Sequence, residues 1–243
     1  MQTGIPMRLA LLMTNTDESG FAHRHPLDAE KFASLIAAVR PDWSVESFAV
    51  KDGVFPGDPG AFDGVMIGGS PASVHDGRDW IARLLGLIRE LVAQGMPLFG
   101  ACFGPQAIAL ALGGRVGPNP GGWGLGSVAT EVDSALPWME PRAASFRLHA
   151  AHKEQVTRLP EGASAFGRSR GCDVAGFTIG SHVFTTQYHP EITAGFMAAL
   201  LDEMAPTTPA EDIAHARASL ADPAQNALFA EWIARFFETA RGR

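Results

Sequence analysis

The stretch Met96-Pro-Leu-Phe-Gly100-Ala-Cys102-Phe-Gly104-Pro-Gln106-Ala-Ile-Ala-Leu-Ala-Leu112 decides how this chain is read. Met96 to Gly100 is a short apolar run of strand length, and Pro105 to Leu112 is rich in Ala and Leu, as a buried helix would be. Between them, Gly100-Ala101-Cys102-Phe103-Gly104 has the small-x-nucleophile-x-small pattern of a nucleophile elbow, a sharp turn from strand into helix. The glycines have a steric cause: the turn brings backbone and helix so close that side chains at the flanks would collide. The turn also lifts the cysteine sulfur above the sheet edge and aims a helix N-terminus at it, where partial positive charge favours thiolate.

Outward from this unit, apolar runs of strand length alternate with amphipathic runs of helix length, the pattern of an α/β domain whose central, mostly parallel sheet has helices on both faces. Leu9 to Met13, Trp43 to Val50 and Phe62 to Ile67 read as strands, and Leu27 to Val39 and Arg78 to Gln94 as helices. Downstream, Arg115 to Gly126 is so dense in Gly and Pro that it reads as a loop. Ala129 to Val132, Phe146 to Ala150, Val174 to Ile179 and Val183 to Gln187 read as strands of a mixed second half of the sheet. Two helical stretches, Thr193 to Met204 and Gln225 to Ala240, flank a polar connection. The expected organisation is one unit over 1–243, with a core of about 7–204 and a C-terminal helical extension of about 205–243.

Composition narrows the function classes. The chain has 243 residues, 46% of them hydrophobic, with a net charge of -7 and no long run of either sign. That balance speaks against nucleic acid and for small metabolites or other proteins as partners. Two cysteines, Cys102 and Cys172, are too few for a secreted disulfide framework, so a reducing cytoplasm is the expected compartment. No run approaches the ~20 apolar residues of a membrane span.

A nucleophilic thiol needs a base within hydrogen-bond reach, and the base needs an orienting group. Tyr188-His189-Pro190-Glu191 follows a strand-like run, so His189 would emerge at a strand end, and the proline limits the turn so that Glu191 can fold back towards the imidazole. Ile67-Gly68-Gly69-Ser70-Pro71 is a glycine turn after another strand, of the kind that leaves backbone N–H groups free to bind an oxyanion. The second donor would be the N–H of Phe103, directly after the cysteine.

Taken together, GGSPASVHDGRDWI, PLFGACFGPQAIALALGG and TTQYHPE resemble the class I (triad) glutamine amidotransferases, particularly free-standing members similar to the glutaminase domain of GMP synthase. The likeness runs from about Met66 to Glu191. It implies a flavodoxin-like α/β fold and hydrolysis of a γ-glutamyl amide through a thioester, with no cofactor and no metal. Carried over by motif position, Cys102 is the nucleophile, His189 the base and later the acid, and Glu191 the orienting carboxylate. Gly69 and Phe103 fall at the oxyanion positions, and Gln106 at a position that helps hold the glutamyl group.

The chain departs from that pattern in three places. Pro105 stands where relatives often carry His or Met, Tyr188 replaces the commoner Phe, and Gly124 stands where an acidic residue is usual, at the far wall of the pocket. His149, His152 and Glu154 could be imagined as metal ligands, but the resemblance makes their stretch a structural strand and turn. Cys172 has no elbow and reads as a packing residue, and Trp232, Ile233, Phe236 and Phe237 form an apolar face suited to core packing or a subunit interface. The expected activity is γ-glutamyl hydrolysis by the chain itself. The alternatives are a glutaminase subunit supplying ammonia to a separate synthetase and a non-catalytic regulatory protein on the same fold; the intact triad argues against the last.

Overall fold

The computed structural model describes residues 5–241, so the outermost residues of the expected unit 1–243 lie outside the described residues. Strand alternation sorts the interior into two layers. In β1 (Arg8–Leu12), β3 (Gly64–Ile67) and β4 (Leu98–Ala101), Leu9, Leu11, Met66, Phe99 and Ala101 face one side, while Ala10, Leu12, Val65, Ile67 and Leu98 face the other. Because both faces are buried, these strands are continuously apolar rather than alternating with polar residues. After a short α1 (Gly20–His23), α2 (Asp28–Ala37) and the last helix, α7 (Asn226–Arg241), cover the first layer, and α3 (Asp79–Ala93) and α4 (Phe103–Ala111) the second.

With β2 (Ser44–Phe48), β6 (Gly124–Val132), β7 (Ser145–His152), β9 (Ala163–Ser169), β10 (Cys172–Ile179) and β11 (Val183–Thr186), these strands form a nine-stranded sheet of order β2-β1-β3-β4-β11-β10-β9-β6-β7. The pairs from β2 to β11 are parallel, and from β11 onward each pair is antiparallel. The expected α/β architecture is what the chain adopts, with the second half of the sheet antiparallel throughout rather than mixed. Among the described residues no helix is long and apolar enough to cross a membrane.

Two local expectations are corrected. Arg115 to Gly126 is not one loop: β5 (Arg115–Pro118) pairs with β8 (Glu154–Arg158) in a two-stranded ribbon, and β6 already begins at Gly124. Gly117 and Pro118 are tolerated because this ribbon has an open edge that asks little of the backbone. The polar connection after Met204 contains α6 (Ala210–Ser219), whose only buried residues are Ile213 and Ala216, too few to mark a helical stripe. β8 and β9 leave no apolar run in the sequence, because polar residues and, in β9, Gly167 interrupt them.

The C-terminal segment is no appendage. Phe229, Trp232, Ile233, Phe236 and Phe237 of α7 are fully buried against Phe99, Trp138, Phe146 and Phe184. Arg40, after α2, grips the helix from outside, with Nη1 2.9 Å from Glu231 and Nε 2.6 Å from Glu238. Helix α5 (Ala194–Met204) and α6 close a smaller cluster over Leu125 and Ile192.

Candidate active site

The C-terminal ends of β1, β3, β4 and β11 lie side by side, and adjacent strands run about 5 Å apart. Each end delivers one element to the same spot: Thr14 after β1, Gly68-Gly69 after β3, Cys102 after β4 and His189 beyond β11. This is the sheet edge where open α/β folds place their ligands.

Cys102 caps the N-terminus of α4 with φ +53° and ψ -92°, the only non-glycine residue with positive φ among the described residues. Such a conformation persists only where its surroundings impose it. Here they do. A β-carbon on Gly100 would come 2.9 Å from the Gly104 carbonyl carbon and 3.0 Å from the Pro105 nitrogen, and one on Gly104 would come 2.8 Å from the Ile67 oxygen. The Cys102 N–H donates to the Thr186 carbonyl at 2.9 Å, tying the elbow to β11. Pro105 fits in the first helical turn, where no helical hydrogen bond needs its nitrogen.

His189 is buried, and its Nδ1 lies 2.7 Å from Glu191 Oε1. Nε2 has no hydrogen-bond partner among the described residues. Burial alone would lower the imidazole's affinity for a proton, but the charges of Cys102 and Glu191 outweigh it and hold the pKa well above the usual histidine value. The His189-Glu191 segment is clamped from two sides. His189 N–H donates to the His149 carbonyl at 2.9 Å, and His149 Nδ1–H to the Ile192 carbonyl at 2.9 Å. Asn226, at the start of α7, donates to the Pro190 and Ile192 carbonyls at 2.6 and 2.8 Å.

Gly69 lies against both reactive side chains: a β-carbon there would lie 2.8 Å from His189 Cε1 and 3.4 Å from Cys102 Cβ. Thr14 Oγ1 donates to the Gly68 and Gly69 carbonyls at 3.2 and 2.9 Å and so fixes the turn. Neither the Gly69 nor the Phe103 N–H is engaged by another backbone group among the described residues, which leaves both available as donors beside Cys102.

A cavity of about 400 Å³ opens on one side of Cys102, lined by Gln106, Trp123, His152, Lys153 and Glu154 among others. Gln106 Nε2 donates to the Glu154 carbonyl at 2.8 Å and, at 3.4 Å, to Gln187 Oε1; Gln187 in turn donates to the Cys102 carbonyl at 3.4 Å. With its nitrogen thus occupied, Gln106 has its oxygen to offer the cavity. Gly124 has a local reason: a β-carbon there would come 2.6 Å from His152 Nε2, so the glycine makes room for the imidazole. His152 Nδ1–H donates to the Glu154 carbonyl at 3.2 Å, and burial pushes its pKa down to about 4, so it is neutral with Nε2 an acceptor.

His149 and His152 thus spend Nδ1 on backbone carbonyls, and no cluster of three metal-ligating side chains occurs among the described residues. Cys172 is buried, and burial pushes its thiol up to about 11. Thr14, Gln187 and Asn226 escaped sequence reading because each acts on backbone atoms of a distant segment, and no local pattern announces that.

The family model for glutamine amidotransferase class-I matches residues 43–203. The chain is similar to Gamma-glutamyl peptidase 3 of Arabidopsis thaliana, 28% identical over 205 residues that cover 81% of this chain and 82% of the relative. It is also similar to Gamma-glutamyl-L-1-hydroxyisopropylamide hydrolase of a Pseudomonas species, 31% identical over 168 residues covering 62% and 57%. Among solved structures it resembles a glutamine amidotransferase of Thermotoga maritima, with a TM-score of 0.78 and 18% identity over 99% of this chain and 100% of that one. At that identity the structural likeness speaks for the fold alone.

Proposed function

The chain belongs to the class I glutamine amidotransferase family, and we propose that it hydrolyses γ-glutamyl amide bonds by attack of Cys102, with His189 as base and then acid and Glu191 as the orienting carboxylate. The observation that carries this reading is the meeting of Cys102, His189 and Gly69 at neighbouring strand ends, with the imidazole bonded to Glu191 at 2.7 Å. The names of the two relatives supply the acyl group.

In the first half-reaction the Cys102 sulfur, its proton passed to His189 Nε2, forms a bond to the γ-carbonyl carbon. The carbonyl oxygen becomes an oxyanion and accepts from the N–H groups of Gly69 and Phe103, donors already aimed before reaction and therefore costing no reorganisation. The tetrahedral adduct then collapses. Its C–N bond breaks, the nitrogen takes the proton from His189, and the amine leaves a glutamyl thioester on Cys102. In the second half-reaction a water gives its proton to His189 and attacks the thioester carbonyl; glutamate departs and the proton returns to sulfur. Glu191 keeps Nδ1 protonated and Nε2 facing the sulfur, and its charge stabilises the imidazolium formed in both halves. The acyl group lies in the 400 Å³ cavity, where Gln106, Lys153 and Glu154 offer polar groups to an amino-acid head.

The test is covalent. A γ-glutamyl electrophile should add to Cys102 and leave Cys172, whose thiol is held neutral at physiological pH, unmodified. Peptide mapping that found the label mainly on Cys172 would overturn the assignment.

A further inference from the structure

Cys102 lines a second cavity of about 290 Å³, which shares Ser70, Pro71, Trp123 and Ala151 with the first. His189 and Glu191 line this second cavity and not the first. The consequence rests on the thioester reading above. When the adduct collapses, the nitrogen must take its proton from His189, so the departing amine lies on the His189 side while the acyl group lies on the other.

We infer that the second cavity binds the amine half of the substrate and selects an apolar amine without a carboxylate over ammonia and over amino acids. Its size and lining give the first part: Phe21, Phe196, Leu200 and Met204 form an apolar wall in space far larger than ammonia needs. An enzyme adapted to glutamine alone would gain nothing from that surface.

Its charge gives the second part. Asp17, Asp28 and Glu191 face the cavity against Lys31 and His189. Lys31 is committed: its ammonium lies 3.0 Å from Asp28, with both side chains largely buried, and 3.8 Å above the Phe196 ring. His189 is likewise matched by Glu191. Asp17 accepts from the Ser19 N–H at 2.9 Å and makes no ion pair among the described residues, so its negative charge faces the cavity uncompensated. A carboxylate on the carbon beside the departing nitrogen would meet that charge across the cavity.

The experiment compares three substrates with one acyl group: glutamine, γ-glutamyl-leucine and γ-glutamyl-3-methylbutylamide. The last two have the same branched chain and differ by the carboxylate. On the purified protein the amide should exceed both others in kcat/KM by about tenfold or more, the scale on which an apolar pocket discriminates. Leu200→Asn should lower kcat/KM on the amide by a larger factor than on glutamine, and Asp17→Asn should raise γ-glutamyl-leucine relative to the amide. Glutamine matching the amide would overturn the apolar part, and γ-glutamyl-leucine matching it would overturn the charge part. Turnover in such a wrong order refutes this inference alone. No turnover of any of the three, with Cys102 unmodified by the γ-glutamyl electrophile, refutes the thioester reading and this inference with it.

Discussion

Replacing Gly69 by alanine would place a methyl group against both reacting side chains. Its carbon would stand 2.8 Å from His189 Cε1 and 3.4 Å from Cys102 Cβ. Carbon atoms prefer about 3.5–4.0 Å, so a displacement of roughly 1 Å must be found. The cysteine side cannot supply it, because the elbow is closed by the contacts of Gly100 and Gly104 with backbone atoms. The imidazole must move, against its 2.7 Å bond to Glu191 and away from the sulfur. A misplacement of about 1 Å in a reacting group costs on the order of 10²-fold in rate, about 2.7 kcal/mol of barrier. Stability should fall far less, by about 1–2 kcal/mol, because the clash is with one ring edge rather than with backbone. The N–H of residue 69 is retained, so the proposed oxyanion donor is untouched. The assay pairs kcat/KM on a γ-glutamyl amide with urea unfolding, and Gly100→Ala is the control. Its β-carbon would strike the Gly104 backbone at 2.9 Å, so that variant should lose stability first. If folded Gly69→Ala stayed within about threefold of wild-type kcat/KM, the arrangement of thiol, glycine and imidazole argued here would be wrong.

Cys102→Ala and His189→Ala should each remove nearly all turnover, whereas Glu191→Gln should retain a measurable fraction, about 10⁻² to 10⁻⁴ of the rate, and lower the pKa of His189 in an NMR titration; an unchanged pKa would contradict the role given to the carboxylate. His152 is buried and neutral with a folded pKa of about 4 against about 6.5 unfolded, so its contribution is lost as pH falls between those values, by up to about 3 kcal/mol. Unfolding measured from pH 7 to pH 4 should therefore decline more steeply for the wild type than for His152→Gln, and parallel curves would refute the burial account. Trp232→Ala should cost about 3–5 kcal/mol, since the ring is fully buried and its Nε1–H donates to the Pro141 carbonyl at 3.0 Å; a loss below about 1 kcal/mol would mean that α7 is not integral to the core. Purified protein should turn over at least one γ-glutamyl amide without a second chain, and a trace rate raised by orders of magnitude by a co-purifying synthetase would favour the ammonia-supplying alternative.

Where a function imposes a local steric demand, the chain displays it openly. Gly100 and Gly104 flank Cys102 because the elbow leaves no room for a β-carbon, and that demand falls within five consecutive residues. Glu191 reaches the His189 ring across a single proline, so the pairing is also a local fact. The central strands β1, β3 and β4 were legible because burial on both faces makes them continuously apolar. Ribbon strand β5 and helix α6 were not, because each buries too little to leave a periodic trace.

The sequence by itself determined the elements and the chemical groups: an α/β alternation, a strained cysteine, a histidine followed by a carboxylate, and a glycine turn. What it could not determine was adjacency. That β3, β4 and β11 are neighbours, although β5 to β10 stand between β4 and β11 in the chain, is a result of sheet order. The same holds for the Thr14 hydroxyl on the Gly68-Gly69 turn and for Asn226, which reaches from the last helix to the carbonyls on either side of Glu191. It holds for the two cavities that meet at Cys102. These are contacts between segments far apart in the chain, made through backbone groups that every residue possesses, and only packing of the whole sheet decides which of them meet.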